Sequence, residues 1–176
     1  MVKTADKRRD SLQKLEEPLV KDFMNTDIVI ARSDMTFKEV VNLLLKKRIS
    51  NLPVVRRQKG ENLLVGLISE RDCLTYLAQE IFYGAPSITL EAAMKHIPIC
   101  VSPGTDLFTV SSIFTQQGYR HLPVIKKGNI LVGVISRCDV LRGLNIFHEQ
   151  YRKANEAERK TPDLRKILLN RRLMIK

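Results

Sequence analysis

Long hydrophobic runs are missing from this sequence. Its longest apolar stretches, 63–68 and 130–135, are six residues each, against roughly eighteen needed to cross a bilayer. No transmembrane helix is therefore expected, and no membrane partner. The first ten residues, MVKTADKRRD, carry charges where a secretory signal needs an apolar segment, so a cytoplasmic location is expected. Paired cysteines are missing too. Cys73, Cys100 and Cys138 are odd in number and far apart, which excludes a disulfide framework and a C-x-x-C metal knuckle and leaves reduced, mostly buried thiols as the expectation. His96, His121 and His148 are scattered singly, so no metal is called for. The chain also lacks a glycine-rich phosphate loop of Walker or dinucleotide type, an H-E-x-x-H pair and a nucleophile elbow.

What is present suffices for a folded protein. A length of 176 residues allows one compact domain or two small ones built from repeats, and 44% apolar with 28% charged residues is too hydrophobic a composition for a disordered chain. The net charge of +11 is unevenly placed: residues 152–176 carry +6, residues 1–17 carry +1, and the 134 residues between them only +4. A high pI is thus weak grounds for nucleic-acid binding by the body of the molecule.

An internal repeat sets the architecture. A shift of 70 residues superposes Met24 on Met94, Phe37 on Leu107, Leu44 on Phe114 and Leu52-Pro53-Val54-Val55 on Leu122-Pro123-Val124-Ile125. A shift of 67 then superposes 64–72 on 131–139, and the three-residue difference is expected in the intervening surface turn. Each copy reads alike. Thr36 opens a capping box with Glu39, and Phe37, Val40, Val41 and Leu44 make one apolar helical stripe ending at Lys46-Lys47-Arg48. In the second copy Asp106 caps a stripe of Leu107, Val110 and Phe114 that Gly118 stops. Hairpins follow, 53–56 with 63–69 and 123–126 with 130–136, and lead into second helices near 70–82 and 137–147. Short strands at 28–31 and 99–101 complete two β-α-β-β-α units of an α+β fold. Neither unit buries enough surface alone, so the two should pack as one pseudo-twofold module. The expected division is an N-terminal helical extension at 1–17, repeats at 18–84 and 85–147 linked around Gly84-Ala85-Pro86-Ser87, and a basic helical tail at 148–176.

The recurrent chemical detail is G-apolar-apolar-S-x-x-D at each strand-to-helix junction, Gly66 to Asp72 and Gly133 to Asp139. Two readings stand. In one, Ser and Asp merely cap the helix. In the other, the same helix N-terminus offers unpaired N–H groups to a phosphate while Asp accepts from ribose hydroxyls, a site suited to a nucleoside phosphate. Ser69 and Ser136 have no adjacent base, so an activated nucleophile would need a further partner, and the chain reads as a sensor, not an enzyme.

These boxes, with Val20-Lys21-Asp22-Phe23-Met24 at the start and the two L-P-V segments, resemble a tandem pair of cystathionine β-synthase (CBS) domains over 18–147. The resemblance implies a regulatory module with a cleft between the repeats for an adenosine compound: AMP, ADP or ATP, with S-adenosylmethionine ranked behind them, and no metal. Carried onto this chain, it implies one site of Ile68, Ser69, Arg71 and Asp72 with Ile97, Pro98, Ile99, Tyr119, Arg120 and His121. The other would hold Ile135, Ser136, Cys138 and Asp139 with Asp27, Ile28, Val29, Ile49, Ser50 and Asn51. Arg120 and His121, where the other site has Ser50 and Asn51, would favour phosphate at the first. The resemblance also implies a homodimer burying the second helix of each repeat, and a regulated protein the sequence does not name.

A different class of function stays open: a ligand-free dimerisation scaffold whose tail docks a partner protein or nucleic acid. Thr161-Pro162-Asp163 is a helix start, and Leu164, Ile167, Leu168, Arg171 and Arg172 follow as a basic amphipathic helix. Packing on the module or its dimer mate, docking to a protein, and contact with nucleic acid or an anionic surface all suit it.

Overall fold

The computed structural model describes residues 15–96 and 98–160, with side chains through residue 156. The chain divides into two compact units, Leu19–Leu141 and a second of Met1–Pro18 with Arg142–Lys176. Of the helical extension expected at 1–17 only residues 15–17 are described, and they are not helical; the helix start expected at Thr161 lies outside the described residues.

Within Leu19–Leu141 the elements are α1 (Val20–Phe23), β1 (Ala31–Arg32), α2 (Phe37–Lys47), β2 (Asn51–Gln58), β3 (Glu61–Ser69), α3 (Glu70–Tyr83), α4 (Leu90–Ala93), α5 (Leu107–Gln117), β4 (His121–Lys126), a 3-10 turn (Lys127–Asn129) and β5 (Ile130–Ser136); α6 is Arg137–Lys160. Local chemistry accounts for the helix limits. Thr36 and Glu39 close a reciprocal capping box on α2, and Arg48 ends it in the left-handed conformation, φ 53°. Asp106 accepts from the backbone N–H of Thr109 to start α5, and Gly118, φ 70°, stops it.

The five strands form one sheet in the order β1-β2-β3-β5-β4. Both hairpins are antiparallel and carry a register shift at the same place, Val54/Val55 in one and Val124/Ile125 in the other. They meet where Leu63 of β3 pairs with Ile130 of β5. The leading strands are shorter than expected: β1 is two residues beside β2, and its counterpart is a single parallel bridge from Val101 to Val124. The three-residue length difference is also differently placed. It lengthens β2 and β3 to eight and nine residues, while Lys59 and Gly60, φ 49° and 84°, close a two-residue turn whose twist matches the strands.

The repeats exchange their openings. Asn25, before the first repeat's strands, pairs with Val134 of the second, and Lys95 pairs with Leu67 of the first. Correspondingly Val20 donates to Thr105 O and Lys21 to Pro103 O, while Leu90, Ala93 and Met94 join the first repeat's core of Ala31, Phe37, Val40, Leu44, Leu52, Val54 and Ile68. Such reciprocity is what a pseudo-twofold axis requires. It also explains both glycines of the boxes: a Cβ at Gly66 would lie 3.0 Å from Lys95 O and 2.5 Å from the Met94 sulfur, and one at Gly133 would lie 2.9 Å from both Asn25 O and the Met24 sulfur. Glycine is required where a neighbouring backbone comes this close.

Candidate functional site

Each hairpin delivers its serine to the first turn of the following helix. Ser69 caps α3: its Oγ accepts from the Asp72 N–H at 3.3 Å, and Asp72 Oδ2 accepts from Ser69 N at 2.9 Å and from Ser69 Oγ at 2.6 Å. Ser136 and Asp139 repeat this at the start of α6, with 3.2, 2.9 and 2.5 Å. One carboxylate oxygen in each box is thus already engaged in capping, and the serine hydroxyl with it.

The strand starts place a second pair of groups beside the boxes. Asn51 stands opposite Ser69 in the β2–β3 register, and His121 opposite Ser136 in the β4–β5 register. Ser50 O accepts from Glu70 N, and Arg120 O from Arg137 N, so the segment before each strand is tied to the helix start beside it. Asn51 Nδ2 and His121 Nδ1 are 2.7 Å apart and partly buried. These two residues are equivalents under the 70-residue repeat, and a residue meets its own equivalent only near the pseudo-twofold axis. The two candidate sites therefore adjoin at this contact.

Electrostatics around His121 follow from its setting. Burial pushes its pKa below the ordinary 6.5, the Asp139 carboxylate opposes that shift, and Arg120 adds to it. The carboxylate acting on His121 is thus Asp139 of its own repeat, although the resemblance groups this ring with Asp72. Neutral His121 offers Nδ1 as the acceptor for the Asn51 amide.

Other implied residues fall in three settings. Ile68 and Ile135 are fully buried. Pro98, Ile99, Ile28, Val29, Ile49, Ser50 and Tyr119 are half-buried, and Ile28 packs on the small apolar cluster of Val55, Leu64 and Leu131. Asp27, Arg71, Arg120 and Cys138 are exposed, so the expectation of mostly buried thiols holds for Cys73 and fails for Cys138, which lies on the outer side of the first turn of α6. Burial raises the Cys73 thiol to about 11 and also raises Cys100. Ile97 lies outside the described residues.

Two further side chains come to the site that the motifs did not single out. Lys95 Nζ lies 3.2 Å from the Tyr119 hydroxyl and 5.0 Å from the centre of its ring, which places a cation beside a residue of the first site. Arg137 donates from Nε to Tyr119 O and from Nη2 to Phe114 O, capping the end of α5. The repeat offered a signal for Lys95, which follows Met94 as Asn25 follows Met24; nothing in the pattern announced Arg137. Two concavities, of about 210 and 270 Å³, lie elsewhere, one lined by Tyr76, Glu80 and 85–88 and the other by Met35, Glu39 and Lys46.

The comparison with family models settles the ancestry of this arrangement, because the CBS domain matches twice, at residues 20–79 and 89–146. The chain belongs to the CBS domain family. It carries a tandem CBS pair, and solved CBS pairs share its fold. It is similar to CBSX2 in complex with AMP, at 25% identity and a TM-score of 0.62, over 73% of this chain and 97% of that one. It is equally similar to the CBS pair of protein MJ0100 in complex with 5'-methylthioadenosine and S-adenosyl-L-methionine, at 25% identity and 0.62, over 74% and 98%. Among curated sequences it is 29% identical over 125 residues to the A-adding tRNA nucleotidyltransferase of Aquifex aeolicus, covering 71% of this chain but 14% of that protein. The chain thus spans only a small part of that relative's length.

Proposed function

We propose that this CBS pair is a regulatory module that binds an adenosine-containing ligand, of the AMP, ADP or ATP class, between its repeats and signals occupancy to a partner protein. The observation that carries the reading is the equivalent geometry of the two Ser–Asp boxes, each at a helix N-terminus and both adjoining the pseudo-twofold contact of Asn51 with His121. A helix start of this kind suits a phosphate, and a carboxylate beside it suits a ribose hydroxyl. The complexes of CBSX2 with AMP and of the MJ0100 pair with adenosyl compounds support the same ligand class. In this reading Arg71, Arg120 and Lys95 surround the phosphate end of the Asp72 site. The module performs no catalysis of its own.

Leu74 and Leu141, equivalent under the 67-residue shift, are 67% and 69% exposed. They give each second helix an apolar face, and we assign that face to a homodimer. A cytoplasmic setting belongs to the same reading.

A thermal-shift panel of AMP, ADP, ATP and S-adenosylmethionine tests the function. A ligand of the native state at one hundred times its dissociation constant stabilises it by about 2.7 kcal/mol, and the absence of any shift at millimolar concentration would refute the sensor reading. The scaffold alternative has one observation in its favour: Ser69, Asp72, Ser136 and Asp139 already satisfy one another as helix caps. It predicts a dimer unaffected by every compound of the panel.

A further inference from the structure

The contact between Asn51 and His121 has a polarity that the pseudo-twofold does not share. Two identical residues on the axis could exchange roles, but an amide and an imidazole cannot. At 2.7 Å the Asn51 NH₂ group donates and the neutral ring accepts at Nδ1, which leaves the ring's proton on Nε2. The charged groups acting on this ring are Asp139 from the first turn of α6 and Arg120 beside it in the chain. An anion brought to His121 favours the imidazolium, whose two ring nitrogens both donate. The Asn51 NH₂ group then faces a donor, and the contact survives only if the amide turns over to present Oδ1. That rotation exchanges the donor and the acceptor that Asn51 offers next to Ser69 and, across the axis, to the Asp139 side.

We propose that the Asn51–His121 hydrogen bond couples the two candidate nucleotide sites, an anionic group taken up by His121 on one side reversing the hydrogen-bonding polarity that Asn51 presents on the other. The inference rests on the nucleotide-binding reading above. It concerns the regulation of those sites and assigns Asn51 a positioning role through its neighbour. The device needs no movement of the sheet, because both residues are the first of their strands, β2 and β4, and only the outermost torsion of Asn51 changes.

Calorimetry with AMP tests it on the full chain, comparing wild type with Asn51→Ala and His121→Asn after thermal melts have established that each variant is folded. Coupling between sites spans roughly 5- to 150-fold in affinity. The wild type should fill two sites, and Asn51→Ala, which leaves the imidazole in place, should change the ratio of their two affinities by at least about fivefold. AMP uptake by the wild type should also be accompanied by net proton uptake, seen as a dependence of the heat on buffer ionisation; uptake should vanish in His121→Asn, which carries the ligand's own ionisation as the control. An unchanged affinity ratio in Asn51→Ala overturns the proposal and leaves nucleotide binding standing, as does a single filled site in the wild type. No AMP binding at all by the wild type overturns the functional reading itself, and the coupling with it.

Discussion

The two CBS repeats solve the same problems with different residues. Helix α2 carries Lys46 and Lys47 in its last turn, cations that suit the negative end of the helix dipole. Helix α5 has no basic residue there; Arg137 reaches over from the start of α6 and donates to Phe114 O and Tyr119 O. The first hairpin turns in two residues, the second through a 3-10 turn with Gly128 and Asn129 at positive φ. What stays constant is the buried scaffold, together with the Ser–Asp boxes and the glycines that face the exchanged openings. Divergence has gathered in caps, turns and the residues around the axis, where a substitution leaves the sheet intact.

If the scaffold is truly equivalent, the largest losses of stability should also be equal. Leu52 and Leu122 occupy matching positions and are 0% and 1% exposed. Leu→Ala at either should cost about 2–5 kcal/mol by chemical denaturation, and a loss at one site twice that at the other would break the equivalence. Gly66→Ala and Gly133→Ala should follow, at about 1–3 kcal/mol each, because both place a Cβ against the opening segment of the opposite repeat. A neutral result at either glycine would mean that its opening segment yields freely.

Much of this scaffold was legible in the sequence. Thr36 with Glu39, and Asp106 with Gly118, marked α2 and α5 because capping is local chemistry, and the L-P-V segments marked both hairpins for the same reason. The exchange of openings was not legible, since it joins Asn25 to Val134 and Lys95 to Leu67 across more than one element. Nor was the length of α6, expected to end near residue 147. The apolar periodicity fades there, but the helix continues to Lys160 with Arg152 paired to Glu149 and Glu156 at 3.8 and 3.6 Å, and nothing after Gly143 breaks it. At the candidate site the boxes were evident from spacing. Their use as caps was one of the two readings the spacing allowed, because Ser and Asp stand three residues apart; the Lys95–Tyr119 contact and the axial Asn51–His121 pair needed coordinates, because each joins groups far apart in sequence.

Asymmetry between the repeats should appear in smaller effects. Arg137→Ala removes two hydrogen bonds at the end of α5 and should cost about 1 kcal/mol, whereas Glu70→Ala, at the matching and exposed position, should lie within about 0.5 kcal/mol of wild type. Equal losses would show that Arg137 has no special capping role.

Acid should discriminate as well. The folded pKa of His121 lies below its ordinary value, so the unfolded chain binds that proton more readily. The stability gained by keeping the ring neutral is present above about pH 6.5 and is lost as the pH falls through the depressed folded value. Denaturation of wild type and His121→Asn between pH 5 and 8, a range of about three units around that titration, should therefore give curves that diverge only at the acid end. At Asp106, the N–H and hydroxyl of Thr109 hold the carboxyl below the usual range, and its contribution should vanish only at still lower pH.

The most direct measurement of the central claim is AMP titration of wild type and of Asp72→Asn and Asp139→Asn, read by calorimetry alongside the thermal melt of each ligand-free variant. Each substitution should weaken binding by about 1.5–3 kcal/mol, the range for a hydrogen bond to a charged group, and should lower the stability of the ligand-free protein by about 1 kcal/mol or less, because Asn still caps. Variants that bind AMP as wild type does while unfolding much earlier would mean that these carboxylates serve the helix starts alone.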